Sequence, residues 1–408
     1  MNIIFIAIIS IIIFDYILEQ LLEYLNSTKR GDKLPPELSN VFNEDEYIKQ
    51  QEYEKTSGKF GYITSTFSLI VMLLMLFFNG FASIDTIARS ITDNTVFITL
   101  IFFAILMFAS DIINTPFSIY NTFVIEERFG FNKTTIKTFI LDKIKGLFLG
   151  GIIGGILLSA IVIFYNFTGN LFWLYAWGLI SFFIIFITMF YSSLIVPLFN
   201  KQTKLEDGDL KSAIHEFSKK VGFKIDNIYK IDGSKRSTKA NAYFTGIGMK
   251  KRIVLYDTLI NDLSTKEIVA VLAHEIGHYK KKHTITTIVI SILQIGLTLY
   301  ILSLFVGNPA LSKALGVNEP SFHIGLIAFG ILYSPISTII GLVMNIISRK
   351  NEYEADIFAK YNFSGEYLIS ALKKLSKNSL SNLNPHPAYV FFHYSHPTLL
   401  QRIINLNK

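Results

Sequence analysis

The amino-acid sequence predicts an all-α polytopic membrane protein with about seven transmembrane helices, in which one long polar loop folds as a small α+β element. Two observations predict this class. Of the 408 residues, 51% are hydrophobic and only 17% are charged, a composition too apolar for a soluble enzyme. The apolar residues also gather in stretches close to the ~20 residues that a helix needs to cross a bilayer.

Seven apolar stretches are the candidate spans. The first has no basic segment before it and no small-residue cleavage site, so we expect it to be retained rather than removed as a signal peptide. Asp111 lies within the third, where an acid is costly unless it faces water or protein. The glycines at 150–155 in the fourth predict close helix packing. The stretches comprise residues 2–18, 62–82, 95–117, 147–166, 171–195, 284–306 and 322–347.

Lysine and arginine are distributed unevenly between the loops. They are frequent between spans one and two, three and four, and five and six, and in the tail after span seven, whereas the alternate loops contain only Arg89 and Lys313. By the positive-inside rule, the N-terminus lies outside, and the basic loops and the C-terminus lie in the cytosol. The net charge of +7 therefore indicates membrane orientation, and we expect no nucleic-acid partner.

The spans divide the chain into four predicted parts. Residues 1–199 form a membrane domain with spans one to five, and residues 200–283 form a cytosolic loop domain. Residues 284–347 contain spans six and seven, and residues 348–408 form a cytosolic C-terminal domain.

The long loop predicts one amphipathic helix, at residues 210–221, and three short strands. Gly246 and Gly248 lie between the last two strands and predict a hairpin. The edge of such a hairpin can bind an extended peptide through main-chain hydrogen bonds, although a purely structural hairpin fits the sequence equally well. The strands comprise residues 227–231, 241–246 and 251–256.

A His-Glu-x-x-His motif in this loop predicts a metal site. Ser264 and Glu267 have the spacing of a capping box, so we expect a helix to begin there. In that helix His274 and His278 are four residues apart and share one face, and Glu275 lies beside them, where a general base is needed. This is the arrangement of zinc proteases, whereas the simpler interpretation is a helix with two surface histidines.

The motif needs a third ligand, because catalytic zinc is held by three protein side chains. The sequence has no cysteine, which leaves His, Asp or Glu. Glu352 and Asp356 are spaced so that they share a helical face, and one can bind zinc while the other accepts a ring N–H from a zinc-bound histidine. Glu354 points to another face and is the weaker candidate.

Several further stretches, in the same order, resemble one protein family. Together with the two halves of the metal motif, which flank spans six and seven, they make the chain similar to the Ste24-type CAAX prenyl proteases, family M48 of the zinc metallopeptidases. The resemblance extends from roughly residue 35 to the end of the chain. The stretches comprise residues 125–133, 197–201, 205–208, 232–237 and 241–244.

The resemblance implies a helical barrel that encloses a large water-filled chamber, with Zn²⁺ at its cytosolic end. By match of motif it also implies that His274, His278 and Glu352 are zinc ligands, that Glu275 is the general base, and that Asp356 and Arg402 support the ligands. Asn241 would lie near the substrate backbone, and His396 would stabilise the oxyanion. For His396, a role as the cap of the last helix is the alternative. We expect three other histidines to be solvated or at the membrane interface, namely His215, His283 and His323.

The implied function is that of an integral-membrane zinc metalloendopeptidase, a monomer that cleaves a prenylated C-a-a-X terminus or another membrane-associated polypeptide. The alternatives are a quality-control membrane protease without a prenyl requirement and a non-enzymatic transporter stabilised by zinc. Residues 405–408 are no recognisable retrieval signal, the loop 307–321 is short, and the frequent Ile, Asn and Lys fit an AT-rich genome. We therefore favour a bacterial inner membrane over the endoplasmic reticulum.

Overall fold

The structure, a computed structural model, describes residues 2–223, 227–246 and 251–408. The helices are α1 (Ile3–Ser27), α2 (Glu44–Phe77), α3 (Gly80–Ile91), α4 (Thr95–Tyr120), α5 (Ile136–Thr168), α6 (Phe172–Leu194), α7 (Val196–Phe199), α8 (Asp209–Lys220), α9 (Asp257–Asp262), α10 (Thr265–Lys280), α11 (His283–Phe305), α12 (Pro309–Ala314), α13 (Phe322–Ala359), α14 (Gly365–Asn378), α15 (Pro387–His393) and α16 (Leu399–Asn407). The strands are β1 (Gln202–Lys204), β2 (Ile228–Ile231), β3 (Ala242–Thr245) and β4 (Arg252–Tyr256).

The long apolar helices account for the predicted spans. Six helical stretches of the described chain are long and apolar enough to cross a membrane. One of them, Ile136–Phe199, reverses at Gly169 and so contains both α5 and α6. The φ of Gly169 is +52°, in a region that glycine adopts without a steric cost. The protein is therefore a multi-pass membrane protein, with seven candidate spanning helices in the described part of the chain.

These helices form a closed ring. Neighbouring spans pack in the order α1, α2, α4, α5, α6, α11 and α13, with α3 between α2 and α4, and α13 returns to contact α1. Aromatic side chains also join α2 to α4, where Phe60 and Phe67 pack on Phe117. The ring confirms the predicted barrel of helices.

Two predictions about the spans have opposite outcomes. Asp111 pairs with Lys143 at 2.7 Å, so this acid faces a protein partner, as expected. The glycine-rich stretch of α5 does not pack closely on another helix, because a Cβ added at Gly150 or Gly154 would meet no described atom within 4 Å. The prediction of close packing is therefore wrong, and this face of α5 is open.

The strands form one sheet in the order β1-β2-β4-β3. β2 and β4 are parallel, while β1 and β3 pair antiparallel at the two edges. The three predicted strands are present, and β3 pairs with β4 as the hairpin requires, although Gly248 of the predicted turn lies outside the described residues. The sequence does not reveal β1, because three residues carry no periodic pattern.

One hydrophobic core joins the loop segment to the C-terminal segment. α10 lies at its centre and contacts α8, α13 and α14. Both segments thus contribute to one unit beside the membrane ring, and the predicted boundaries between them stay a prediction. The core residues include Ile214, Phe217, Leu255, Ile268, Leu272, Ile276, Ala359, Leu368 and Leu406.

A separate buried polar cluster lies at the first turn of α13. The Nε2 atom of His323 is 2.6 Å from Oδ1 of Asp85, and its Nδ1 atom is 3.3 Å from the hydroxyl of Thr99. Arg89 donates to the other oxygen of Asp85 at 2.9 Å. The prediction that His323 is solvated or interfacial is wrong, because these partners replace water around the buried ring. His215, in contrast, is exposed as predicted.

Candidate active site

Helix α10, which carries the His-Glu-x-x-His motif, begins at the predicted capping box. The backbone N–H of Ser264 donates to Glu267 at 2.8 Å. Glu267 is buried and also accepts from Ser370 at 2.6 Å and Lys374 at 2.8 Å, both on α14. Burial raises the pKa of Glu267, but the hydrogen bonds from Lys374, Ser370 and Ser264 outweigh it and lower the pKa to about 2. The ionised carboxylate therefore fastens the start of α10 to α14.

Helices α10 and α13 approach closely at Gly277. A Cβ added there would lie 3.1 Å from the Cα of Ala355 and from the Cβ of Phe358, a contact that a packed interior accommodates only if the two helices move slightly apart. This contact brings the motif face of α10 against Glu352 on α13. The glycine inside the motif thus brings the two halves of the site together.

Three side chains converge between these helices. The Nε2 atoms of His274 and His278 are 3.1 Å apart, and oxygens of Glu352 lie 3.3 Å from the first and 3.2 Å from the second. The donor atoms all lie within 4.8 Å of one another. Oε2 of Glu352 is buried and has no geometrically aligned donor among the described residues, although Nε2 of His274 lies 3.3 Å away and Nη1 of Arg402 3.7 Å away. Two imidazoles and one carboxylate match the ligand set of catalytic zinc sites, so these residues fit a metal ion.

The surroundings of His274 favour a positive charge. Its ring is buried, so the interpretation as a surface histidine is wrong. Burial lowers the pKa of His274, but hydrogen bonds to Asp356 and Glu352 oppose this and raise the pKa to about 9. The same carboxylates that stabilise a proton here also stabilise a cation among the donors.

Asp356 lies behind His274, on the side of the ring away from His278, and Arg402 lies beside it, with Nη1 3.7 Å from Oε2 of Glu352. The Oδ1 atom of Asp356 is 2.9 Å from Nδ1 of His274. Arg402 donates to both carboxylate oxygens of Asp356, at 2.9 and 2.5 Å. A histidine whose Nδ1–H donates to a carboxylate presents the lone pair of Nε2 to the opposite side. The two residues predicted to support the ligands are therefore next to one of them.

A cleft of about 260 Å³ opens at the three donors and is lined by the other predicted site residues. Strand β3 borders it, and among the described strands β3 pairs only with β4, so its outer edge is free. The carboxylate of Glu275 makes no hydrogen bond to the described part of the chain. The lining includes Asn241, His274, Glu275, His278, Glu352, His396 and Arg402.

Asn241 and His396 occupy different positions around this cleft. Oδ1 of Asn241 accepts the N–H of Ala242 at 2.8 Å, which leaves the amide NH₂ group to donate elsewhere. His396 is 61% exposed, and its Nε2 atom is 3.3 Å from Oε1 of Glu352. The alternative in which His396 caps the last helix is wrong, because Thr398 accepts the N–H of Gln401 as the cap of α16.

The sequence prediction missed one histidine beside the site. His283, expected to be solvated or interfacial, is 7% exposed, and its Nδ1 atom is 3.0 Å from Nδ1 of His278. Lys282 has a φ of +61° and turns the chain sharply between α10 and α11. Glu354, the weaker candidate ligand, lies outside the three-donor cluster and is 3.3 Å from Nε2 of His283. Helical spacing cannot reveal this contact, because the left-handed residue interrupts the helix.

Comparisons with known proteins agree with this geometry. A family model described as the CAAX prenyl protease N-terminal region, five membrane helices, matches residues 23–201, and the model of peptidase family M48 matches residues 204–408. The chain is 37% identical to CAAX prenyl protease 1 of Saccharomyces cerevisiae, over 95% of this chain and 92% of the relative. It is 30% identical to the CAAX prenyl protease 1 homolog of Homo sapiens, over 92% of this chain and 89% of the relative.

A solved structure is similar over the whole chain. The crystal structure of S. mikatae Ste24p has a TM-score of 0.93 and 35% sequence identity, and the match covers 100% of this chain and 99% of that chain. The ring of spans and the cleft with its motif define a multi-pass membrane metalloendopeptidase. The chain belongs to the Ste24-type CAAX prenyl proteases, within peptidase family M48. Membership in this peptidase family excludes the non-enzymatic transporter.

Proposed function

We propose that this metalloendopeptidase uses Zn²⁺ to hydrolyse a peptide bond near a prenylated C-terminus. The observation that supports it most is the convergence of His274, His278 and Glu352 in a cleft that Glu275 also lines. Three nitrogen and oxygen donors with an open position suit catalytic zinc, whereas structural zinc is closed by four ligands. When bound, zinc supplies Lewis acidity toward a water molecule and the scissile carbonyl.

Glu275 is the general base of the proposed reaction. Its carboxylate lines the cleft beside the two histidines of its own helix and has no described hydrogen-bond partner that would hold it away from a water. It takes a proton from the attacking water and delivers it to the leaving amine. The charge of Glu275 is needed only for this transfer, so its amide analogue keeps the metal ligands intact.

The free edge of β3 binds the substrate backbone. An extended peptide at this edge forms main-chain hydrogen bonds with the strand. Lying along the strand, the peptide then presents one of its peptide bonds to the metal ligands His274, His278 and Glu352. Asn241, directly before β3, contributes its free NH₂ group to a peptide carbonyl. This proposal selects the peptide-binding interpretation of the hairpin over the purely structural one.

His396 stabilises the oxyanion. Its ring is largely exposed to the cleft, with Nε2 3.3 Å from Oε1 of Glu352. A substrate carbonyl held beside the metal ligands is therefore within hydrogen-bonding reach of Nε2. A single donor to a developing oxyanion contributes about 3 kcal/mol. Asp356 and Arg402 act indirectly, by holding the ring of His274.

The prenylated substrate and the membrane orientation are the finer parts of the proposal. The similar proteins of yeast and human are named CAAX prenyl proteases, and the distribution of basic loops supports a cleft on the cytosolic side. We expect a monomer with a peptide substrate drawn from the bilayer surface and no nucleic-acid partner. The expectation of a bacterial inner membrane finds no support in these relatives, which come from eukaryotes.

Peptide cleavage in detergent tests the proposal. A farnesylated C-a-a-X peptide and its unprenylated twin are incubated with wild type, Glu275→Gln and the surface control His215→Ala, and the bound zinc is measured for each protein. We expect cleavage of the prenylated peptide alone by wild type and the control, and none by Glu275→Gln. Equal cleavage of both peptides favours the quality-control protease. No cleavage of either by zinc-loaded wild type contradicts the proposed function.

A further inference from the structure

We propose that His283 and Glu354 form a second orienting arm of the metal centre, which fixes the ring of His278 as Asp356 fixes that of His274. Both residues act through His278 and contact neither metal nor substrate, so they are positioning residues. The inference rests on the proposed role of His278 as a metal ligand.

The two ring nitrogens of His278 face opposite partners. Nε2 lies 3.1 Å from Nε2 of His274 and 3.2 Å from Glu352, at the centre of the donor cluster. Nδ1 lies 3.0 Å from Nδ1 of His283. A neutral imidazole that offers a lone pair at Nε2 carries its proton at Nδ1. His278 therefore donates its Nδ1–H to His283 whenever Nε2 binds a cation.

This donation fixes the tautomer of His283 as well. Its Nδ1 atom accepts, so a neutral His283 carries its proton on Nε2. That nitrogen is 3.3 Å from Oε2 of Glu354, which accepts the hydrogen bond from Nε2–H. The hydrogen bonds then run in one direction, from His278 through His283 to the carboxylate of Glu354. The opposite direction would put a proton on Nε2 of His278 and block metal binding.

His283 is an outer support and not a fourth ligand. It faces Nδ1 of His278, on the far side of that ring from the donor cluster. The rings of His278 and His283 meet edge to face, with centroids 5.1 Å apart and an interplanar angle of 72°. This packing holds both rings in the orientation that the hydrogen bond needs.

The arm also connects the metal centre to two spans. His283 is the first residue of α11, behind the left-handed Lys282, and Glu354 lies on α13. The turn at Lys282 and the packing of α11 on α13 therefore determine where His283 meets His278. A side chain that accepts the ring N–H of a metal-ligating histidine, as His283 does here, typically contributes 10–100-fold to metal affinity.

Two substitutions of His283 separate positioning from simple packing. In His283→Asn, the side-chain oxygen takes a position close to Nδ1 and still accepts from His278. In His283→Phe, the ring volume stays but no acceptor remains. Zn²⁺ affinity is measured by competition with a chelator, the visible spectrum of the Co²⁺-loaded protein reports ligand geometry, and thermal unfolding of the metal-free proteins reports the fold.

We expect His283→Phe to weaken Zn²⁺ binding about 10–100-fold and to alter the Co²⁺ spectrum, with His283→Asn closer to wild type in both. Glu354→Gln, at the half-exposed end of the arm, provides a variant that keeps the packing of His283 and should weaken binding about threefold to tenfold. His215→Phe is the matched control on an exposed surface and should change nothing.

Wild-type affinity and spectrum in His283→Phe and Glu354→Gln overturn the inference. Equal weakening by Asn and Phe also overturns it, since packing alone would then explain the effect. If either His283 variant fails to fold, Glu354→Gln decides the question. Failure of the proposed function gives a result distinct from failure of this inference. In that case wild type itself would bind no Zn²⁺ or cleave no peptide.

Discussion

Each end of α13 buries a histidine against a carboxylate. The two ends differ in whether buried polar atoms remain without a hydrogen-bond partner. At the first turn, His323 uses both nitrogens, on Asp85 and Thr99, and Arg89 takes the remaining oxygen of Asp85. Every strong donor in this cluster has an acceptor. Burial of polar groups is tolerated when such a network is complete, so this cluster joins α3, α4 and α13 without offering a binding site.

At the other end of α13 the network is incomplete. Nδ1 of His274 meets Asp356, yet Nε2 faces Nε2 of His278 and a buried oxygen of Glu352 that has no geometrically aligned donor among the described residues. Lone pairs that converge in this way repel unless a proton or a metal cation lies between them. Unsatisfied acceptors, rather than buried charge as such, therefore distinguish a metal centre from a structural cluster.

The largest effect is expected from Asp356→Asn at the metal end. This change removes the charge that faces buried Arg402, and it replaces one of the two acceptor oxygens shared by Arg402 and His274 with an NH₂ donor. We expect the free energy of unfolding to fall by about 3–5 kcal/mol and the metal affinity to fall about 10–100-fold. Thermal unfolding and chelator competition measure the two. Unchanged metal affinity in a folded variant would argue against the orienting role.

Asp85→Asn makes the corresponding change at the other end. It leaves Arg89 and His323 without their shared carboxylate, so we expect a loss of about 3 kcal/mol in unfolding free energy. Metal affinity and peptide cleavage per folded molecule should equal those of wild type, because this cluster contains no unsatisfied acceptor. A loss of metal from the folded variant would show that the two ends are coupled and that the distinction between them is wrong.

The pH dependence of stability tests the anchor of α10. The pKa of Glu267 lies below its ordinary value of 4.5, at about 2, so its ionised form stabilises the fold above pH 4.5. That contribution, about 2–3 kcal/mol, is lost as the pH falls from 4.5 toward 2. Thermal unfolding of metal-free protein should show this loss, and Glu267→Gln should remove it. An identical pH profile for the variant would exclude Glu267 as its source.

The smallest effect concerns the contact between α10 and α13. Gly277→Ala adds a Cβ at 3.1 Å from Ala355, and such overpacking costs about 1–2 kcal/mol. The added Cβ should push α10 away from α13. Metal binding should then weaken about tenfold, because His278 moves relative to Glu352. Gly154→Ala on the open face of α5 is the matched control and should leave both properties unchanged. Full metal affinity in Gly277→Ala would mean that the approach of the helices does not set the site geometry.

The sequence predicts local features well and contacts between distant segments less well. Span lengths, the capping box of α10 and the shared face of His274 and His278 all follow from periodicity within one helix. The contact of His283 depends on one left-handed residue, Lys282, and the burial of His323 depends on a carboxylate on another helix. Neither the contact of His283 nor the burial of His323 produces a periodic pattern in the sequence, so neither can be predicted from periodicity.

Resemblance to a family supplied what periodicity could not. Spacing alone left Glu352 and Asp356 as equal candidates for the third ligand, and the motif match selected Glu352. In the structure Glu352 lies among the imidazole Nε2 atoms, whereas Asp356 lies behind His274. The glycine-rich stretch of α5 shows the opposite case, since a composition typical of close packing occurs where a Cβ at Gly150 or Gly154 would meet no described atom and one at Gly151 would meet only Met107, at 3.8 Å.

The most direct test of the proposed roles of Glu275 and His274 compares metal content with catalysis in Glu275→Gln. Wild type, Glu275→Gln and His274→Ala are purified side by side, the zinc per molecule is measured, and cleavage of the farnesylated peptide is followed. We expect Glu275→Gln to retain its zinc while its cleavage rate falls by about 10²–10⁴, and we expect His274→Ala to lose both. Cleavage by Glu275→Gln at the wild-type rate, or full zinc occupancy in His274→Ala, would contradict these roles.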